Sequence, residues 1–397
     1  MKTIYLDHAA TTPVDNKVFL AMESYFSEDY GNPSEPHLWG QKARGAIDQA
    51  REKVAEFLGA KPQEIIFTSG ATEAINLAHK GLIEAVRKTQ NKTPHIITSS
   101  IEHKAVMETC KHLEKLGWAK VTYLPVNKDG LVNLQDLEKA IQPETILVSI
   151  MYINNEVGTI QPIREIGEAI SQINKLRMEN GELKIYFHTD ATQAIQYLDC
   201  NVEKLGVDLL SLSGHKIYAP KGVGALYFKK GMPLRRQQDG GGQEYRLRAG
   251  TENVPYIVGL GKAIELAQQN KEYSTKYIGK LREKLIEGVL KIPKVELVGN
   301  ASKNTPHIAT FLVKGVEGES MMLLLSDQGI AASSGSACTS GLLEPSHVLL
   351  AMGYQPEKAH GSIRFSLGKD NTEEEIGKVI KVLPEIVQKL RKMAPKL

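Results

Sequence analysis

Seven short runs of apolar, largely β-branched residues, EIIFTSG, HIITSS, KVTYLPV, TILVSIMYI, KIYFHTDA, DLLSLSG and GALYF, follow one another between residues 64 and 228 with helix-like sequence among them. Runs of this length that end in polar residues or glycine read as buried strands. Their alternation with helical stretches predicts an α/β domain with a mostly parallel sheet. ATEAINLAHKGLIEAV is the helix after the first run. Ile163, Ile166, Ile170, Ile173 and Leu176 recur at three or four residues, which puts them on one helical face against the sheet. After DGGGQEYRLRAGTENVP a long helical stretch from about Val254 to Leu290 holds the expected hinge. From about Lys291 onward, strands such as HIATFLV and SIRFSLG mix with helices, as in a smaller α+β lobe.

A chain of 397 residues exceeds what one core supports, so two lobes with a cleft between them are expected. Apolar residues at 42% argue against a disordered chain, and a net charge of +3 gives no footing for nucleic acid or a membrane surface. A small substrate fits better. No stretch reaches membrane-spanning length, and MKTIYLDHAATTP reads as neither signal peptide nor anchor, so a cytoplasmic protein is expected. Cys110, Cys200 and Cys338 match neither a disulfide framework nor a zinc pattern, which leaves room for a working thiol.

Ligands of open α/β sheets bind where strands end. Ser69, Gly70, Ala71 and Thr72 lie between a strand and a helix, where free N–H groups favour an anion such as phosphate. Taken alone, Ser69 or Thr72 reads more simply as a helix cap. Ser213, His215 and Lys216 follow another strand. A lysine at a cleft mouth can form a Schiff base with an aldehyde cofactor, whereas a lysine in isolation reads as a surface charge. Asp190 ends KIYFHTDA, where its carboxylate either pairs with a protonated ring nitrogen or caps the next turn, and Gln193 follows. His103, in SSIEHKAV, could stack on a flat ring or move protons. Cys338 sits among small residues in AASSGSACTSGLLEPSH, a segment suited to carrying a thiol between sites. Cys110 has helical spacing from Val106 and Leu113 and reads as core; Cys200 is given no role.

LDHAATTP, TSGATEA, EHKAV, NNEVGTIQP, DATQ, SGHKIYAPKG, RAGTENVP, SSGSACTSG and SIRFSLG together, in this order and spacing, resemble the cysteine desulfurase family over nearly the whole chain. SSGSAC resembles the iron-sulfur-cluster and nitrogen-fixation branch. His8, where many relatives have tyrosine, and the run Asn32-Pro33-Ser34-Glu35 depart from the pattern.

The resemblance implies the fold-type-I architecture of pyridoxal-phosphate (PLP) enzymes and a homodimer. It implies a large cofactor domain over residues 15–262, and a small domain from 1–14 and 263–397 that carries the cysteine segment. Lys216 would bind the cofactor covalently, Asp190 would pair with its ring nitrogen, His103 would stack on the ring, and Gln193 would hydrogen-bond the ring hydroxyl. Ala71, Thr72, Ser213 and His215 would hold the phosphate, with Thr251 from the partner subunit. Asn155 and Arg364 would grip the substrate L-cysteine, Arg364 through its carboxylate. Cys338 would take the sulfur as a persulfide, releasing alanine, and pass it to an iron-sulfur scaffold protein or another acceptor. There it would briefly ligate a nascent cluster. An aminotransferase, which needs no such thiol, a selenocysteine lyase and a catalytically silent PLP-binding partner are the competing readings.

Overall fold

The structure, a computed structural model, describes residues 3–88, 92–334 and 344–393. Its strands are β1 (Ile4–Tyr5), β2 (Ile65–Thr68), β3 (His95–Ser99), β4 (Lys120–Leu124), β5 (Thr145–Ser149), β6 (Tyr186–Asp190), β7 (Leu209–Ser213), β8 (Gly224–Phe228), β9 (Val295–Leu297), β10 (Ile308–Val313), β11 (Ile330–Ala331) and β12 (Ser362–Ser366). The seven apolar runs form one sheet in the order β2-β8-β7-β6-β5-β3-β4, in which β8 alone runs antiparallel to its neighbours. Every residue of β2, β3, β5 and β7 is buried. That explains why these strands read as continuous apolar runs and not as alternating ones.

Successive side chains still go to opposite faces. Ile66, Ile96, Leu147 and Leu209 pack with the helix Ala71–Arg87, while Phe67, Ile97, Val148 and Leu210 share a core with the helix Leu38–Leu58. The helix Ile163–Glu179 buries Ile163, Ile166 and Ile170 as expected, but Leu176 is 62% exposed. The inward stripe instead continues through Asn174 and Arg177, because these side chains hydrogen-bond carbonyls of Ile185, Leu183, Gln142 and Pro143.

Around the antiparallel sheet β12-β10-β9 a second core forms from Phe311, Phe365, Leu325, Ile376 and Leu383. The helix Val254–Val289 reaches both cores: Ile257, Leu260 and Ile264 pack into the first, Ile278, Leu281 and Leu285 into the second. Asn253 caps it by accepting from the Tyr256 N–H, and Pro255 stands in its first turn. The segment after β1, which pairs with β11, runs along the second sheet, where the His8 and Ala9 N–H groups donate to the carbonyl and hydroxyl of Ser366. It therefore ends over the C-terminal edge of the large sheet, where the candidate residues gather.

Candidate active site

Strands β2, β3, β5, β6 and β7 all deliver their last residues to one edge, and the turns that follow line a cavity of about 500 Å³. Ser69, Ala71, Thr72, His103, Asn155, Asp190, Gln193, Ser213, His215 and Lys216 are on its wall. Residues from five separate turns thus meet, as the C-terminal edge of a parallel sheet allows.

The turn after β2 enters its helix through Gly70 at φ 155°, with no side chain capping the N-terminus. Neither Ser69 nor Thr72 takes up the role of cap. The Ser69 N–H is met by the Glu73 carboxylate, which Arg248 holds from its other oxygen. A side chain at Gly224 would press on Gly70 Cα at 2.7 Å, so glycine there lets β8 close against the turn. The first-turn amides are left facing the cavity with the positive end of the helix dipole. His215 nearby has its pKa pushed down to about 4, chiefly by burial and then by Lys216 and Lys221, and Nδ1 meets the Thr11 hydroxyl at 3.1 Å. It stands neutral at neutral pH.

Lys216 closes the single helical turn after β7, and its Nζ donates to the carbonyls of Ala9 and Ala10 at 2.6 Å each. Burial, then the Arg364 charge, brings its pKa down to about 8. Asp190 is buried at the end of β6, where one oxygen accepts from the Thr192 N–H at 2.9 Å. Its turn-capping role is therefore real, and it sits on the cavity wall as well. His103 begins the helix Lys104–Lys115, with Nδ1 accepting from the Ala105 N–H. Gln193 donates through Nε2 to the Ala9 carbonyl at 2.9 Å.

Two expected residues lie off the cavity wall. Arg364, in β12, is buried, donating to Asp7 Oδ1 and to the Asn155 carbonyl at 2.7 Å each, while its Nε has no partner among the described residues. Thr251 is exposed, just beyond the Gly250 turn. Cys338 lies outside the described residues. Asp7, Thr11, Glu73 and His307 were not singled out from the sequence. LDHAATTP carried the first two as part of a motif, but nothing in it marked a carbonyl pair that seats a lysine 207 residues away.

The donor set fits the cofactor that the resemblance implies. A depressed lysine amine suits an aldehyde, a buried carboxylate suits a protonated ring nitrogen, and uncapped helix amides suit a phosphate.

The family profile described as Aminotransferase class-V matches residues 4–379. Among curated relatives, "Cysteine desulfurase IscS" of Methanosarcina thermophila is 52% identical over 394 residues, covering 99% of this chain and 94% of the relative. A solved structure titled "NIFS-LIKE PROTEIN" superposes with a TM-score of 0.89 at 41% identity, covering 98% of this chain and all of that one. Another, "SspA in complex with cysteine", gives 0.78 at 39% identity, covering 92% and 99% of the two chains.

Proposed function

Because the chain belongs to the class-V aminotransferase family, and within it to the cysteine desulfurases, we propose that this cavity is where it converts L-cysteine to L-alanine and hands on the sulfur. It is a PLP-dependent enzyme. Bound PLP supplies a conjugated ring that accepts the electron pair left when a Cα–H bond of the amino acid breaks.

Each residue then has a task. Lys216 would hold the cofactor through Nζ, and the same nitrogen, when free as the amine, would take the Cα proton of the substrate. Asp190 would keep the proton on the ring nitrogen, and His103 would stack on the ring. Gln193 donates to the ring hydroxyl oxygen. Ala71, Thr72, Ser213 and His215 hold the phosphate. Asn155 and Arg364 would orient the substrate, Arg364 exchanging Asp7 for the substrate carboxylate. The Cys338 thiolate attacks the substrate sulfur; the Cβ–S bond breaks, its electron pair passes to the substrate carbon, and the persulfide stays on Cys338.

The observation that carries this reading is the meeting of a depressed lysine amine, a buried carboxylate and an uncapped helix terminus on one cavity. Thr251 would complete the phosphate site across a homodimer. Exposed Phe19, Leu20, Phe26, Leu38 and Trp39 give such a dimer an apolar surface. The large domain is taken as 15–262, and the small one as 1–14 with 263–397. An iron-sulfur scaffold protein or another thiol acceptor would receive the sulfur, Cys338 ligating a nascent cluster in passing. Among the described residues no helix is long and apolar enough to cross a membrane, and Cys110 and Cys200 are free, which suits a reducing cytoplasm.

Incubation with L-cysteine, with alanine and sulfide measured with and without reductant, tests the reading. Alanine should form in both cases and sulfide mainly with reductant. No alanine, or faster turnover of selenocysteine than of cysteine, would overturn it.

A further inference from the structure

Behind the cavity wall, Gln193 is held by a chain of hydrogen bonds that crosses from the large sheet to the small one. Its Nε2 lies 2.9 Å from the Ala9 carbonyl oxygen, and its Oε1 lies 3.3 Å from His307 Nε2. His307 Nδ1 is 2.7 Å from the Thr305 hydroxyl, and its ring stacks on Tyr197 at 4.2 Å between centroids and 16° between planes. His307 precedes β10, is buried, and makes no contact with the cavity.

The roles along this chain are forced. A carbonyl can only accept, so Ala9 requires the amide nitrogen of Gln193 and turns Oε1 toward His307. His307 Nε2 must then carry the hydrogen, and Nδ1 must accept from the Thr305 O–H. The ring is surrounded by the cationic groups of Arg282, Arg364 and Lys216 and by His8, and burial first, then these charges, holds it neutral. One N–H of the Gln193 amide goes to Ala9. The other is left at the cavity wall.

We propose that His307 is a positioning residue: acting with the Ala9 carbonyl, it locks the Gln193 amide with an N–H, never the carbonyl oxygen, toward the cofactor's ring oxygen. This rests on the cofactor reading above. A donor there spreads the negative charge of that oxygen and weakens its hold on the proton of the neighbouring Lys216 nitrogen. Losing the donor strengthens that hold.

The test is a pH titration of the visible absorbance of the lysine-bound cofactor in the holoenzyme. His307→Phe keeps a ring against Tyr197 and removes the hydrogen bond; its midpoint should rise by about half a pH unit or more, the size of one hydrogen bond. Gln193→Ala should give the same rise, and the double variant no more than either. His307→Gln, which restores an N–H, should return the midpoint toward the parent value. Thr305→Val, which frees the imidazole tautomer, provides a second route if His307→Phe fails to fold, and should shift the midpoint in the same direction. An unchanged midpoint in His307→Phe or, failing that, in Thr305→Val would overturn the proposal, as would additive shifts in the double variant. A parent protein with no visible cofactor absorbance would instead overturn the cofactor reading and take this inference with it.

Discussion

Lys216 Nζ lies 2.6 Å from the carbonyl oxygen of Ala9, a residue more than two hundred positions earlier in the chain. Ala9 is itself fixed from the second sheet by the Ser366 hydroxyl and from the cavity wall by Gln193. The amine of the large sheet is thus seated on a segment that the small sheet holds in place. Burial and the Arg364 charge disfavour its protonated form.

The depressed value has a direct kinetic consequence. With a pKa of about 8, roughly a tenth of the amine is free at pH 7, against well under a hundredth for an ordinary lysine. The rate at which apoenzyme takes up PLP should therefore rise with pH and level off above about pH 8. Lys216→Ala should take up none covalently and show no turnover. Stopped-flow absorbance across pH 6 to 9.5 checks both; a rate still climbing tenfold per unit above pH 9 would mean that the amine is not depressed.

Asp190→Asn separates the two roles of that side chain. The amide keeps an oxygen for the Thr192 N–H, so the turn after β6 should survive. The negative charge is lost, and with it the proposed partner of a protonated ring nitrogen. Alanine formation should fall on the order of a hundredfold or more, as when a preorganised electrostatic partner is removed. Near-normal rates in a folded, cofactor-loaded variant would take Asp190 out of the chemistry.

Glu102 predicts a pH dependence of stability. It is fully buried, accepting from Ser99 and from the Met151 N–H through Oε1, with no partner for Oε2 among the described residues, and burial lifts its pKa from 4.5 to about 8. Between those values the folded protein keeps a proton that the unfolded chain has lost. Stability contributed here is therefore fully present below pH 4.5 and declines as pH rises toward 8, by up to ~1.4 kcal/mol per unit. Glu102→Gln should remove this decline while keeping an oxygen for both donors. Urea midpoints of the two proteins at pH 5 and pH 8 decide it, since parallel losses would show that Glu102 is not the source.

The sheet was legible because buried parallel strands are written as unbroken β-branched runs, and the long helix because a helical stretch without a strand-like run follows the Gly-rich segment. Local pattern went no further than local structure. Leu176 was placed inward because it is apolar, yet Arg177 won the position by reaching four carbonyls. The buried pair of Arg51 and Glu244, which also ties down the Phe67 amide, left no trace in either segment, since 193 residues separate its members. Glu102, Asp7 and His307 were passed over for the same reason: Glu102 and His307 are notable for burial beside residues far along the chain, and half-buried Asp7 for its pair with Arg364. Lys216 and Asp190 were legible as chemistry only because motif resemblance brought their neighbours together; in isolation each had a plainer reading.

In the proposed reaction the sulfur step rests on Cys338, and the two other thiols set the terms of its test. Cys110 and Cys200 are both buried; burial drives the first far above the ordinary thiol range and pushes the second up to about 12. Neither offers an appreciable thiolate at neutral pH, and the thiolate is the nucleophile. Neither lines the cavity. Cys338→Ser should therefore still bind PLP through Lys216 and still change its visible spectrum on adding L-cysteine, because those steps need only the amine and the pocket. Sulfur transfer should fail, since a hydroxyl is a far weaker nucleophile toward sulfur, and alanine formation should fall at least about a hundredfold. Mass spectrometry of the parent protein after a brief cysteine pulse should find the added sulfur on the peptide containing Cys338. A persulfide on Cys110 or Cys200, or undiminished alanine from Cys338→Ser, would require another thiol or another reaction.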